Sequence, residues 1–65
     1  MKFAIRDHVR KVKGYEYFGV VVAAFQTTKG EDRYVVESTS HGSRGMLFIF
    51  NDGQLDHDHV ALGEV

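Results

Sequence analysis

The chain contains no cysteine, no proline and no tryptophan. Without cysteine, neither a disulfide framework nor a thiolate zinc site can hold it together. No proline-rich linker, repeat or low-complexity tract divides it. Long apolar runs are also missing. The longest, Phe18 to Phe25, is far too short to span a bilayer. Met1-Lys2-Phe3-Ala4-Ile5 leads straight into Arg6-Asp7-His8, so no signal peptide is read and the expected location is the cytoplasm. Excess charge is scarce too. The net charge of -1 argues against a dedicated nucleic-acid binder, whose affinity rests on neutralising phosphates.

A length of 65 residues allows one domain, spanning 1–65. A core this small is marginal, and small scaffolds recruit disulfides, metals or partner subunits. With disulfides excluded, self-association is the expected route. The charge is uneven: Lys2, Arg6, Arg10, Lys11 and Lys13 crowd the beginning, and Asp52, Asp56, Asp58 and Glu64 crowd the end. A solvated strand edge and a basic binding face both fit that pattern.

Val9 and Val12 flank Arg10-Lys11 in a first strand that Gly14 ends. Gly19 to Thr27 is the strongest strand, because Val20, Val21 and Val22 have stiff β-branched side chains that suit a pleated surface. Ala23 and Ala24 are small enough to let another backbone approach. Lys29-Gly30-Glu31-Asp32 reads as a turn. Tyr34 to Ser38 alternates as a third strand, and His41 to Gly45 forms a glycine-containing loop. Met46 to Phe50 is apolar throughout, which predicts a fourth strand covered on both faces. Asn51-Asp52-Gly53 turns the chain, and Leu55 onward gives a short strand or a tail. The pattern predicts an all-β fold, a small SH3-like barrel of about five strands. Its core spans about 7–56, with a C-terminal tail at 57–65.

No spacing declares an active site. His57-Asp58-His59 places two imidazoles on one side of an extended chain, but no third ligand is evident; a solvated tail explains them, and no metal is expected. His41 lies near Ser38 and Ser40, a pairing that a nucleophile and its base could use. No elbow motif or orienting acid accompanies it, so a loop or interface histidine fits better. Arg44 between glycines could hold an anion. Asp7, Glu16 and Glu37 lack the paired spacing of acid–base chemistry, and the glycines form no phosphate loop. Tyr15, Tyr17, Phe18, Phe25, Tyr34, Phe48 and Phe50 are many aromatics for this length, enough for a core and either a subunit interface or a ligand groove.

Asp7-His8-Val9-Arg10-Lys11, Gly14, Gly19, Phe25, Thr27, Tyr34-Val35-Val36-Glu37-Ser38 and His41 together resemble the type II, plasmid-borne dihydrofolate reductases. The likeness is gapless from Asp7 to His41 and resumes after a short insertion, through Ile49-Phe50 to Leu55-Asp56. The resemblance implies an SH3-like barrel protomer in a homotetramer, with NADPH and dihydrofolate held together in one central pore. It further implies that Lys11 attracts anionic ligands at the pore mouth and that Leu47, Phe48, Ile49 and Phe50 line the pore floor. Tyr17, Ser38 and His41 are implied at the oligomer interface, the histidine making assembly sensitive to pH. The family floor reads Val-Gln-Ile-Tyr, so a glutamine amide and a tyrosine hydroxyl give way to Phe48 and Phe50 here, and Met46 stands where the family has serine. That change predicts poor turnover or none. The stretch Gly45 to Asn51 is also similar to small bacterial and phage proteins. A non-catalytic SH3-like module that holds a protein partner is the alternative reading.

Overall fold

The structure is a computed structural model and describes residues 1–58. Five strands follow in chain order: β1 (His8–Lys11), β2 (Phe18–Gln26), β3 (Asp32–Ser38), β4 (Leu47–Asn51) and β5 (Leu55–His57). A single 3-10 turn, Asp52–Gln54, separates the last two. All pairings are antiparallel, and the sheet order is β4-β3-β2-β1-β5. The protein is thus all-β, with the strand order and late 3-10 turn of a small SH3-like barrel.

β2 is the longest strand among the described residues and pairs with β3 along most of its length. Val21 faces Val36 and Ala23 faces Val35, so Val22 is the extra residue of a β-bulge. A bulge bends its strand and increases the local twist, which a sheet needs to curl on itself. Gly19 is fixed by close approach. A Cβ there would lie 2.4 Å from the Glu37 carbonyl oxygen and 2.5 Å from a Val36 methyl. Only a bare Cα lets β2 and β3 lie together at that point.

The core comprises Phe3, Val9, Tyr17, Val21, Tyr34, Val36, Phe50 and Leu55, with Ala24 packed against it. Tyr34, Val36, Val21 and Val9 are completely buried. Segment 1–7, which precedes the expected core, folds back over the barrel. The Tyr34 hydroxyl accepts the Lys2 N–H at 2.9 Å and the Phe3 N–H at 3.4 Å. The Phe3 ring meets Tyr34 edge-on at 5.2 Å and His57 at 4.9 Å. Arg6 adopts φ 83, and the Asp7 carboxylate accepts the Ala4 N–H at 2.9 Å to hold the turn.

Several sequence expectations need correction. β1 stops at Lys11, and Val12 lies exposed in the following loop, because its three-residue spacing from Val9 breaks the period of two. Asp32 belongs to β3, since the tight turn is made by Thr27–Gly30 and closed by the Thr27 N–H donating to Glu31. The tail does not begin at residue 57: His57 pairs with Val9 in β5, and Asp58 is buried, its N–H donating to His8. The most consequential correction concerns β4. It was expected to be covered on both faces, yet Met46, Leu47, Phe48 and Ile49 are all exposed. β4 is an edge strand, paired to β3 alone among the described residues. His59 and the Val60-Ala61-Leu62 segment lie outside the described residues.

Candidate functional site

Two surfaces differ from an ordinary solvated barrel: the β4 edge and a groove beside Lys11. On β4, side chains alternate between faces. Phe48 and Phe50 point inward, opposite Val36 and Tyr34 of β3. Phe50 is 5% exposed and belongs to the core. Phe48, at 38%, covers the rim of the barrel, its ring 5.2 Å from Tyr17 and 6.5 Å from Phe50. Leu47 and Ile49 point outward and are 58% and 61% exposed. The outer face continues inward across the sheet: Ile49 pairs with Val35, and Val35 with Ala23, beside the exposed Val22 and Phe25. A row of apolar groups therefore crosses three strands, exposed at Leu47, Ile49, Val22 and Phe25 and half-buried at Val35 and Ala23 between them.

Backbone polarity along β4 is set by the β3 pairing. Ser38 donates its N–H to the Met46 carbonyl at 2.8 Å. Hydrogen-bonded residues alternate in an antiparallel pair, so the Met46 carbonyl, Phe48 and Phe50 turn to β3, while the Met46 N–H donates to Ser43 within the loop. Leu47, Ile49 and Asn51 turn theirs to the open edge. The Asn51 N–H is already taken by the Gln54 side chain at 2.9 Å.

Tyr17 holds this rim from beneath. It is buried, and its hydroxyl donates to the carbonyls of Val36 at 2.9 Å and Met46 at 3.1 Å. Burial pushes its phenol above the usual tyrosine value, and the neighbouring Tyr15 and Glu37 charges push the same way. Tyr17 thus ties β3 to the start of β4 inside the protomer, and its ring offers no surface to another copy.

Ser38 is likewise buried, its Oγ 2.8 Å from that of Ser43 and accepting the Ser40 N–H at 3.1 Å. Ser40 Oγ in turn accepts the Phe18 N–H at 3.0 Å. These serines knit the 39–45 loop to β2 and β3. Both hydroxyls are spent on loop structure, so a nucleophile and base are not assembled with His41, which is exposed on the same loop with Arg44.

The second surface is an open groove of about 290 Å³ lined by Lys11, Val12, Lys13 and Gly14 on one side and Gly53 and Gln54 on the other. The Val12 N–H donates to the Gln54 carbonyl at 3.1 Å and binds the two walls together. The Lys11 ammonium donates to the Lys13 carbonyl and sits 4.7 Å from the centre of the exposed Tyr15 ring. The groove lining carries two cations and no acid. Lys11 and the β4 residues, which the resemblance placed around one pore, lie on separate elements of the protomer: Lys11 ends β1, while β4 is at the far edge of the sheet.

Among the described residues no group of three or more His, Cys, Asp or Glu side chains could hold a metal ion. His57 packs on Phe3 in β5, and His59 lies outside the described residues. No helix among the described residues is long and apolar enough to cross a membrane. No protein-family model and no curated protein matches this chain.

The sequence reading missed Phe3 and Gly19 as structural determinants. An isolated glycine inside the strongest strand pattern was the available signal for close backbone approach. Phe3 left no periodic signal, because its partner Tyr34 is remote in the chain.

Proposed function

We propose that this protein is a self-assembling SH3-like binding module that works as a homo-oligomer and is not an efficient dihydrofolate reductase. The observation that carries this reading is the run Met46 to Ile49, four exposed large apolar side chains on an edge strand of a 65-residue chain. Covering such a run removes apolar surface from water at roughly 25 cal/mol per Å². The apolar row through Ile49, Val35 and Ala23 extends the same surface.

A second reading, NADPH-dependent reduction in an oligomer pore, draws on the resemblance and on one structural feature, the groove beside Lys11. Its two ammonium groups suit a phosphate or carboxylate. The β4 residues do not suit the reacting rings. Leu47, Phe48 and Ile49 carry no side-chain donor or acceptor, and Phe50 is buried in the protomer core. Holding two ligands in a reactive arrangement requires groups that fix their orientation, and these side chains supply only contact. No reaction step is therefore assigned to them.

Steady-state NADPH oxidation with dihydrofolate, for the natural protein and for Phe48→Gln, tests the choice. The expected result is no turnover above background for the natural protein. Steady turnover by the natural protein would overturn the binding-module reading, and turnover gained only in Phe48→Gln would tie the lost activity to that position.

A further inference from the structure

We infer that two copies of this chain join by antiparallel pairing of their β4 strands, with the two-fold axis passing beside Phe48. This names the partner for the self-assembly proposed above and rests on that reading.

The argument begins with backbone groups. Leu47 and Ile49 are the β4 residues whose N–H and C=O both face the open edge, as the phase set by Ser38 and Met46 requires. An antiparallel copy centred on Phe48 places Leu47 opposite Ile49 of the partner subunit, and Ile49 opposite Leu47 of the partner subunit. Each pair exchanges two hydrogen bonds, so the polar groups of Leu47 and Ile49 are satisfied on both strands. A register centred on Ile49 would instead call on the Asn51 N–H, which Gln54 already occupies.

Side chains agree with the same register. Leu47 and Ile49, the two outward residues, meet one another and extend the apolar outer row into the partner. On the inner side Phe48 meets Phe48 of the partner subunit, in the closer, non-hydrogen-bonded type of pair. Aromatic and β-branched cross-strand pairs are the favourable units of a sheet. β4 itself carries no charge and no proline, the devices that normally keep edge strands apart.

Charge complementarity specifies the partner as a second copy. Arg44, exposed, lies in the turn that leads into β4 and Asp52 in the 3-10 turn that follows it. Antiparallel pairing brings the leading turn of each copy towards the following turn of the other, so opposite charges approach at both ends. Parallel pairing would bring like charges together at both ends.

The chain's lack of cysteine makes single-cysteine cross-linking a clean test. Opposed residues of a non-hydrogen-bonded pair have Cα atoms about 4.5 Å apart, within the range a disulfide spans. Phe48→Cys should therefore oxidise to a covalent dimer. Because Phe48 also packs on Tyr17, a second arm uses the more exposed positions: a mixture of Leu47→Cys and Ile49→Cys should form the mixed disulfide in preference to either homodimer. Preferential homodimers of Leu47→Cys would overturn the register. Absence of both cross-links, with light scattering still showing an oligomer, would overturn edge pairing while leaving self-assembly in place. Absence of cross-links with a protomer mass would overturn both.

Discussion

Tyr17 and Phe48 meet edge to face with ring centroids 5.2 Å apart, and this contact joins the interior of the barrel to its open edge. Tyr17 is anchored by two carbonyls of neighbouring strands, while Phe48 stands half in solvent. The rim is therefore built on a buried, hydrogen-bonded ring, which gives the exposed strand a rigid base.

Tyr17→Phe keeps the ring and removes the hydroxyl. The carbonyls of Val36 and Met46 lose the shared phenol proton but keep their strand partners, so the cost is that of one net hydrogen bond, about 0.5–1.5 kcal/mol. Thermal or urea unfolding should register a loss of that size, and an unchanged midpoint would remove the hydroxyl from the account.

The same phenol makes stability sensitive to alkali. Its folded pKa is raised above the ordinary 10.0, first by burial. Folding therefore favours the neutral form: this contribution is full below the unfolded value and is lost as pH rises through the folded one. Stability should fall above about pH 10, and the part of that fall due to Tyr17 should be absent in Tyr17→Phe. Urea midpoints measured across the alkaline range for both proteins check this; identical pH slopes would contradict it.

Gly19→Ala places a methyl against the Glu37 carbonyl, which is backbone and cannot swing aside. Overpacking of this kind costs about 1–3 kcal/mol. The substitution should lower the unfolding midpoint, whereas Gly30→Ala meets no neighbouring atom and is strained only by its φ of 82.

Phe3→Ala should be among the most damaging changes, at about 3–5 kcal/mol. Ile5→Ala, at a position left exposed on the same segment, should change the midpoint by less than about 0.5 kcal/mol. Equal effects of the two would mean that segment 1–7 does not cover the barrel in solution.

β2 and β3 were legible because their β-branched runs and alternation report backbone geometry directly. The Val22 bulge was not, since a period-two pattern does not show where one residue is inserted. β4 was read correctly as a strand and wrongly as enclosed. An unbroken apolar run states that its surface will be covered, but not whether by the same chain. Phe3 and Tyr34 illustrate the other limit. Their contact joins residues 31 apart, and neither position carries a local mark of it. Of the residues singled out for function, Tyr17 and Ser38 proved to be buried structural groups, and His41, Lys11 and the β4 edge remain at the surface.

The mass of the protein in solution tests the central claim most directly. Light scattering at micromolar concentration should give a multiple of the 7.4 kDa protomer, as the proposed covering of Leu47, Phe48 and Ile49 by other copies requires. A steady protomer mass across that range would contradict self-assembly, leaving the apolar β4 edge without the role assigned to it.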